Sequence, residues 1–287
     1  MDKAKQEWKY LSKPFNSEIG EALILQHQAA QLIAIAGKYL IPEAEDDSHT
    51  NMEYDPLNHR LVGNSLPDGF RVALGLKELS IQILNQKGTL GNSFRLAGKT
   101  KNQAFDELKR ALANSGVDVS ELKNVIHYQI PQHKLDEGSS FEIGNEQDLF
   151  ENALYRHNAK IILNEIASGF EYGQAIRVWP HHFDTGAFFT ISKNERGDAK
   201  QTIGIGFAIP DSMVKEPYFY LSFWSEEPLK TQANSWSIDA GKWLLPEWNG
   251  AVLKLSEILK MDTASRQFNL VKSFYNSGIK TILDAMK

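Results

Sequence analysis

Apolar residues recur at steps of three and four in four long stretches and at alternate positions in several short ones, which predicts long helices and short strands. The first helix covers residues 17–38, with Ser17 placed to cap it, Glu18 and Glu21 complementing the helix dipole, and Ile19, Leu23, Ala30 and Ile33 as its apolar stripe. Another face carries His27, Gln31 and Lys38, which return to similar angles at about 100° per residue. That face is either solvated or lines a site. A second helix begins at Thr100, where Thr100 and Gln103 have capping-box spacing, presents Phe105, Leu108 and Leu112, and stops before Gly116. A third covers 146–168, capped by Asn145 and ended by Gly169, with Phe150, Leu154, Ile161 and Leu163 apolar and His157 half-buried between them. The fourth follows Thr263 and carries Phe268, Val271, Tyr275, Ile279, Ile282 and Met286 as a stripe that docks on a core.

Strand patterns cover 48–54, 59–62, 70–76, 79–84, 125–130, 176–191, 201–209 and 217–224, followed by an irregular region with Trp236, Trp243 and Trp248. Turn residues such as Gly63 with Asn64, and Pro67, Asp68 and Gly69, suit antiparallel hairpins, so the fold class is α+β. The polar connection 117–144 divides the chain into halves, 1–144 and 145–287, that pack as one unit. The halves share an order of features: Gly37 lies twelve residues before His49 and Gly169 twelve before His181, and each half has a Pro-Asp turn, at 66–69 and 209–212. An internal duplication accounts for this, and so does the common order of a helix followed by hairpins.

Composition narrows the function classes. With 42% hydrophobic residues in 287, the chain can bury a sizeable core. Lys plus Arg is 31 against 36 for Asp plus Glu, and a net charge of −5 gives no electrostatic reason to expect nucleic acid or an anionic membrane as partner. The absence of cysteine removes disulfides, thiolate nucleophiles, iron–sulfur ligation and Cys-containing zinc sites. Residues 1–15 are polar, and the most apolar run, 29–36, falls far short of the roughly 20 residues that span a bilayer. A soluble, cytoplasmic protein is expected. There is no Walker loop, no Gly-x-Gly-x-x-Gly, no Gly-x-Ser-x-Gly elbow and no His-Glu-x-x-His, so the commonest nucleotide, hydrolase and zinc-protease readings lose their support.

The densest chemistry lies in 176–191, which includes Trp179, Pro180, His181, His182, Phe183 and Asp184. Read as one strand, it puts Trp179, His181, Phe183, Ala187, Phe189 and Ile191 on a core face and His182, Asp184, Gly186 and Thr190 on the other. His182 and Asp184 are then neighbours, and the carboxylate orients the imidazole for proton transfer, or both hold a metal with help from His49 and Asp47, or both simply satisfy each other in the core. A second wall is 216–224, where Glu216, Tyr218, Tyr220, Ser222 and Trp224 share an aromatic face with polar tips, suited to a ligand, a partner or a covering helix. These residues favour a small-molecule-binding protein or an enzyme, with His49, His27, Gln31, Lys38, Glu216, Tyr218, Tyr220 and Trp224 around His182 and Asp184, in a cleft where the halves meet. The rival class is a non-catalytic interaction protein whose aromatic face is an oligomer interface. No particular cofactor, metal or oligomeric state is specified.

Together, His27 to Lys38, Asp47 to His49, Gly116 to Val119, Trp179 to Asp184 and Glu216 to Tyr220 resemble an uncharacterised bacterial family of unknown function, in order along most of the chain. The resemblance implies a bacterial, soluble, single-chain protein and carries no catalytic roles.

Overall fold

The computed structural model describes residues 3–171, 173, 175–229 and 236–287. The chain is α+β, and it forms two compact units that exchange segments. One, here the α2 unit, comprises Asn16–Ala153 and Arg177–Phe183; the other, the α6 unit, comprises Met1–Phe15, Leu154–Ile176 and Asp184–Lys287.

In the α2 unit, helix α2 (Ser17–Leu40) is capped by the Asn16 side chain on the Ile19 amide, one residue earlier than Ser17. The predicted stripe is buried, but so is nearly every position from Leu25 to Gly37, including Gln26, His27, Gln28 and Gln31. The solvated-face reading therefore fails for His27 and Gln31: the helix is enclosed from Leu25 to Gly37, and its amides there serve buried backbone. Gln26 Nε2 donates to the carbonyls of Leu76 and Leu149, each at 2.9 Å. Strands β1 (Met52–Asp55), β2 (Arg60–Gly63), β3 (Arg71–Gly75), β4 (Ser80–Leu84) and β5 (Leu90–Arg95) form an antiparallel meander, and β6 (Arg177–Trp179) pairs with β1 at Met52 and Val178. The meander follows from the short turns between its strands, as the 66–69 turn does between β2 and β3. Helix α3 (Lys101–Asn114) has the expected Thr100–Gln103 capping box.

Two strand expectations in this unit fail. Residues 48–50 form a 3₁₀ turn, and β1 starts only at Met52. Residues 125–130 form no strand: they run as an irregular strap tied to α2 by the Tyr128 side chain.

In the α6 unit, β7 (Asp184–Lys193), β8 (Ala199–Ala208), β9 (Tyr218–Ser225), β10 (Lys242–Trp243) and β11 (Gly250–Lys254) pair antiparallel in the order β7-β8-β9-β11-β10. One face, with Phe207, Phe219 and Leu221, packs on α6 (Ala264–Met286), where Phe268, Val271, Tyr275 and Ile282 are fully buried as their spacing predicts, Phe274 is buried beside them, and Ile279 and Met286 are only half-buried. Thr263 caps α6 by accepting from the Arg266 amide. Short helices α1 (Lys3–Glu7) and α5 (Leu255–Ile258) complete the unit. Two buried amides hold its N-terminal segment as a strand neighbour would: Asn158 bonds both N–H and C=O of Lys9, and Gln267 those of Leu11.

The boundary between the units falls within α4 (Glu146–Ala167). Its buried side chains include Leu149, Ala153, Tyr155 and Ile162, one position away from the predicted Phe150, Leu154 and Ile161, which are only half-buried. The displacement has a clear cause: the buried face also carries Asp148, Glu151, Asn152, Arg156 and Asn158, so hydrophobicity alone does not mark it. Gly37 lies inside α2, where a Cβ would sit 2.5 Å from the His49 carbonyl oxygen, whereas Gly169 follows the end of α4. The matched glycine–histidine spacing therefore reflects two different local structures. Among the described residues, no helix is long and apolar enough to cross a membrane.

Candidate functional site

The 176–191 stretch is two strands and a turn. Strand β6 ends at Trp179, residues 180–183 turn, and β7 begins at Asp184. Strand alternation consequently cannot put His182 and Asp184 on one face, nor His181 with the core. His181 is half-buried and His182 exposed, while Phe183 is fully buried. From Asp184 onward the predicted alternation returns in part: Ala187 and Phe189 are buried and Phe188 exposed, but Gly186 is buried too and Ile191 is only half-buried.

The turn is held by α2. His27 Nε2 and Gln31 Nε2 meet the same acceptor, the Pro180 carbonyl, at 2.8 and 2.9 Å. Phe183 adopts φ 54°, a region that costs a bulky residue roughly 1–3 kcal/mol, and its ring stacks on His27 with centroids 5.0 Å apart. Its amide closes the turn onto the Trp179 carbonyl at 2.7 Å. Two residues of the predicted polar stripe, His27 and Gln31, thus position the histidine turn. Lys38 is half-buried and lies over the Tyr39 ring.

From Gln31 a second arm reaches the strap: Tyr128 Oη donates to Gln31 Oε1 at 2.8 Å. Burial first, and the Asp47 charge second, push the Tyr128 phenol far above its ordinary range, so it stays a neutral donor. The Tyr128 ring meets His181 edge-on at 5.8 Å and His127 at 5.0 Å. His127 in turn is bound to Asp47, Nε2 to Oδ2, at 2.6 Å, and His49 Nε2 lies 3.9 Å from the other oxygen. The His49 segment is fixed by its contact with Gly37 and by Asn64, whose Nδ2 addresses the carbonyls of Ser48, His49 and Asn51. Five of the eight histidines, at 27, 49, 127, 181 and 182, belong to this network. Among the described residues, no group of three or more His, Asp or Glu is arranged to hold a metal ion.

Gln31 and Tyr128 also line a cleft of about 660 Å³ within the α2 unit, together with Ile35, Asn102, Asn124 and Ile126. At one side Lys101 Nζ is bound to Asp136 at 2.7 Å and to Gln28 at 3.0 Å. Burial works to raise the Asp136 carboxyl, but hydrogen bonds from Lys101 and the His133 amide outweigh it and hold it below 3.8.

The α6 unit holds the other predicted residues. Asp184 accepts from Tyr220 Oη and Asp211 from Tyr218 Oη, both at 2.6 Å. Burial, then the neighbouring carboxylates, push both phenols up. Tyr220 lies flat on a glycine floor: a Cβ on Gly206 would overlap its ring, and one on Gly186 would come within 2.5 Å of its hydroxyl. The Gly204 and Gly206 pair in β8 is thus a packing device for β9. Glu216 is tied to Ser256 N and Oγ at 2.7 and 3.0 Å, and Trp224 is 48% exposed.

Beside the histidine turn, His127 and Asp47 form a hydrogen-bonded imidazole–carboxylate pair. His127 carried no sequence signal, because its partner is 80 residues away and its flanking Ile126 and Tyr128 suggest only a strand. Compared with known proteins, the chain matches no family model, no curated protein and no solved structure.

Proposed function

We propose that this is a small-molecule-binding protein whose ligand occupies the α2-unit cleft. The observation that carries the reading is the double use of Tyr128 and Gln31, which line the cleft and also hold the His181–His182 turn through Pro180. A ligand pressing on Tyr128 would be felt by the turn, with no other element between them. Carboxamides of Asn102, Asn124, Gln129 and Gln132 supply both donors and acceptors, the isoleucines at 35, 126 and 130 supply apolar surface, and Lys101 is already neutralised by Asp136. This lining favours an uncharged, hydrogen-bonding molecule. The volume is within the usual range for small-molecule sites.

The test is a thermal-shift comparison of wild-type protein with Asn124→Trp, which fills the cleft from an exposed position. Nucleosides and monosaccharides serve as probes, with nucleoside monophosphates as charged controls. A rise in Tm with an uncharged probe that disappears in the variant supports the reading; no rise, or a rise that survives in Asn124→Trp, overturns it.

A second reading, an interaction surface on the α6 unit, is favoured by Phe188 and Trp224, exposed by 52% and 48%. Phe188 and Trp224 project on the same face of that sheet, in adjacent rows of its register. In either reading His182 is an accessible imidazole, and Asp184 accepts from Tyr220.

A further inference from the structure

We infer that His127 and Asp47 form a proton-transfer dyad beside the α2-unit cleft, with His127 Nδ1 taking the proton of a hydroxyl on an uncharged ligand. The dyad rests on the cleft reading for its ligand, although its own chemistry is testable without one. His127 stands between Ile126 and Tyr128, both of which line the cleft, and its ring abuts that of Tyr128.

Three features set this pair apart. First, the carboxylate is positioned by backbone: Asp47 adopts φ 62° at the head of the 3₁₀ turn, and its carbonyl accepts from Thr50 N and Thr50 Oγ1. Aspartate and asparagine tolerate that conformation better than most residues. Second, an ionised carboxylate only accepts, so the proton between the groups sits on His127 Nε2, and in its neutral form the ring presents its lone pair at Nδ1. Third, the pair is accessible, with side chains 35% and 36% exposed.

A second histidine–carboxylate pair, just beyond the strap, shows the contrast. His133 binds Glu21 through Nε2 at 3.1 Å but also accepts the Leu135 amide at Nδ1, so both nitrogens are occupied in capping and pairing. His127 uses Nε2 alone for its recorded bond. In the transfer the ligand O–H bond breaks, its electron pair stays on oxygen, and an Nδ1–H bond forms. The resulting imidazolium faces the Asp47 carboxylate at 2.6 Å. His49 reinforces this: its Nδ1 accepts the Ala44 amide, so its Nε2–H also addresses Asp47.

The experiment is carbethoxylation of the intact protein with diethyl pyrocarbonate near neutral pH, mapped by peptide mass spectrometry, beside a ¹⁵N spectrum of the histidine side chains. His127 is expected to react faster than His133 and the exposed His182, and to carry its proton on Nε2. In Asp47→Asn, which keeps the shape and the backbone conformation, its rate should fall about threefold or more while His133 and His182 keep theirs. An unchanged His127 rate in a folded Asp47→Asn protein, a rate below that of His182, or a proton on Nδ1 would overturn the dyad. None of these results bears on the cleft, which stands or falls on the Asn124→Trp comparison.

Discussion

Asp184 and Asp47 accept hydrogen bonds of the same length, 2.6 Å, and the resemblance ends there. Asp184 is held by Tyr220, a phenol enclosed on its glycine floor and kept protonated by burial. Asp47 is held by His127, an accessible imidazole of the only side-chain type whose ordinary titration lies near neutral pH. Distance alone does not separate a fixed hydrogen bond from a mobile proton. Burial and the donor's own acidity do, which is why the first pair reads as framework and the second as chemistry.

The comparison can be broken at several levels. The largest effect belongs to the anchor of the histidine turn: Phe183→Ala should cost about 3–5 kcal/mol in urea unfolding, because it opens a cavity under His27. A cost below about 1 kcal/mol would mean that the turn does not depend on that stack. Next is the framework pair, where Tyr220→Phe should cost about 1.5–3 kcal/mol, the range for a hydrogen bond to a charged group.

The same pair gives the protein an alkaline weakness. A phenol raised above 10.0 in the folded state stabilises fully below pH 10 and loses that contribution as pH rises further, since only the unfolded chain can ionise there. Unfolding midpoints should therefore fall above pH 10, less steeply in Tyr220→Phe than in wild type. Equal slopes would show that Tyr220 is not protected from ionisation. The smallest effect is at the dyad: His127→Ala should change stability by at most about 1 kcal/mol, as for an accessible ion pair. A loss as large as that of Tyr220→Phe would make His127 a clamp and erase the distinction.

Much of the fold is legible in local sequence because local physics decides it. The capping of α3 by Thr100 and of α6 by Thr263, the stripe of α6, and strands β2, β3, β4, β8 and β9 depend on residues within a few positions of one another. The α2 stripe is legible too, but the burial of His27 and Gln31 is not, since amphipathic patterning assumes that polar means exposed. Strand β5, with five of its six residues exposed, offers little hydrophobic pattern to read. The tryptophan-bearing region contains β10 and β11, while 230–235 lie outside the described residues.

The site divides in the same way. The sequence by itself determined which residue types were concentrated where: the paired histidines, the tyrosine-rich strand and the polar stripe of the first helix. Only the tertiary structure decided their partners. Two donors from α2 converge on the Pro180 carbonyl and help to fold a turn where alternation predicted a strand, and Asp184 goes to Tyr220 through the register of β7, β8 and β9. Asp47 meets a histidine that no local pattern marks. The physical reason common to all three is that the partner a polar group finds is set by which segments the core brings together, not by what stands next to it in the chain, and where the group is buried, as for His27 and Gln31, a partner is required.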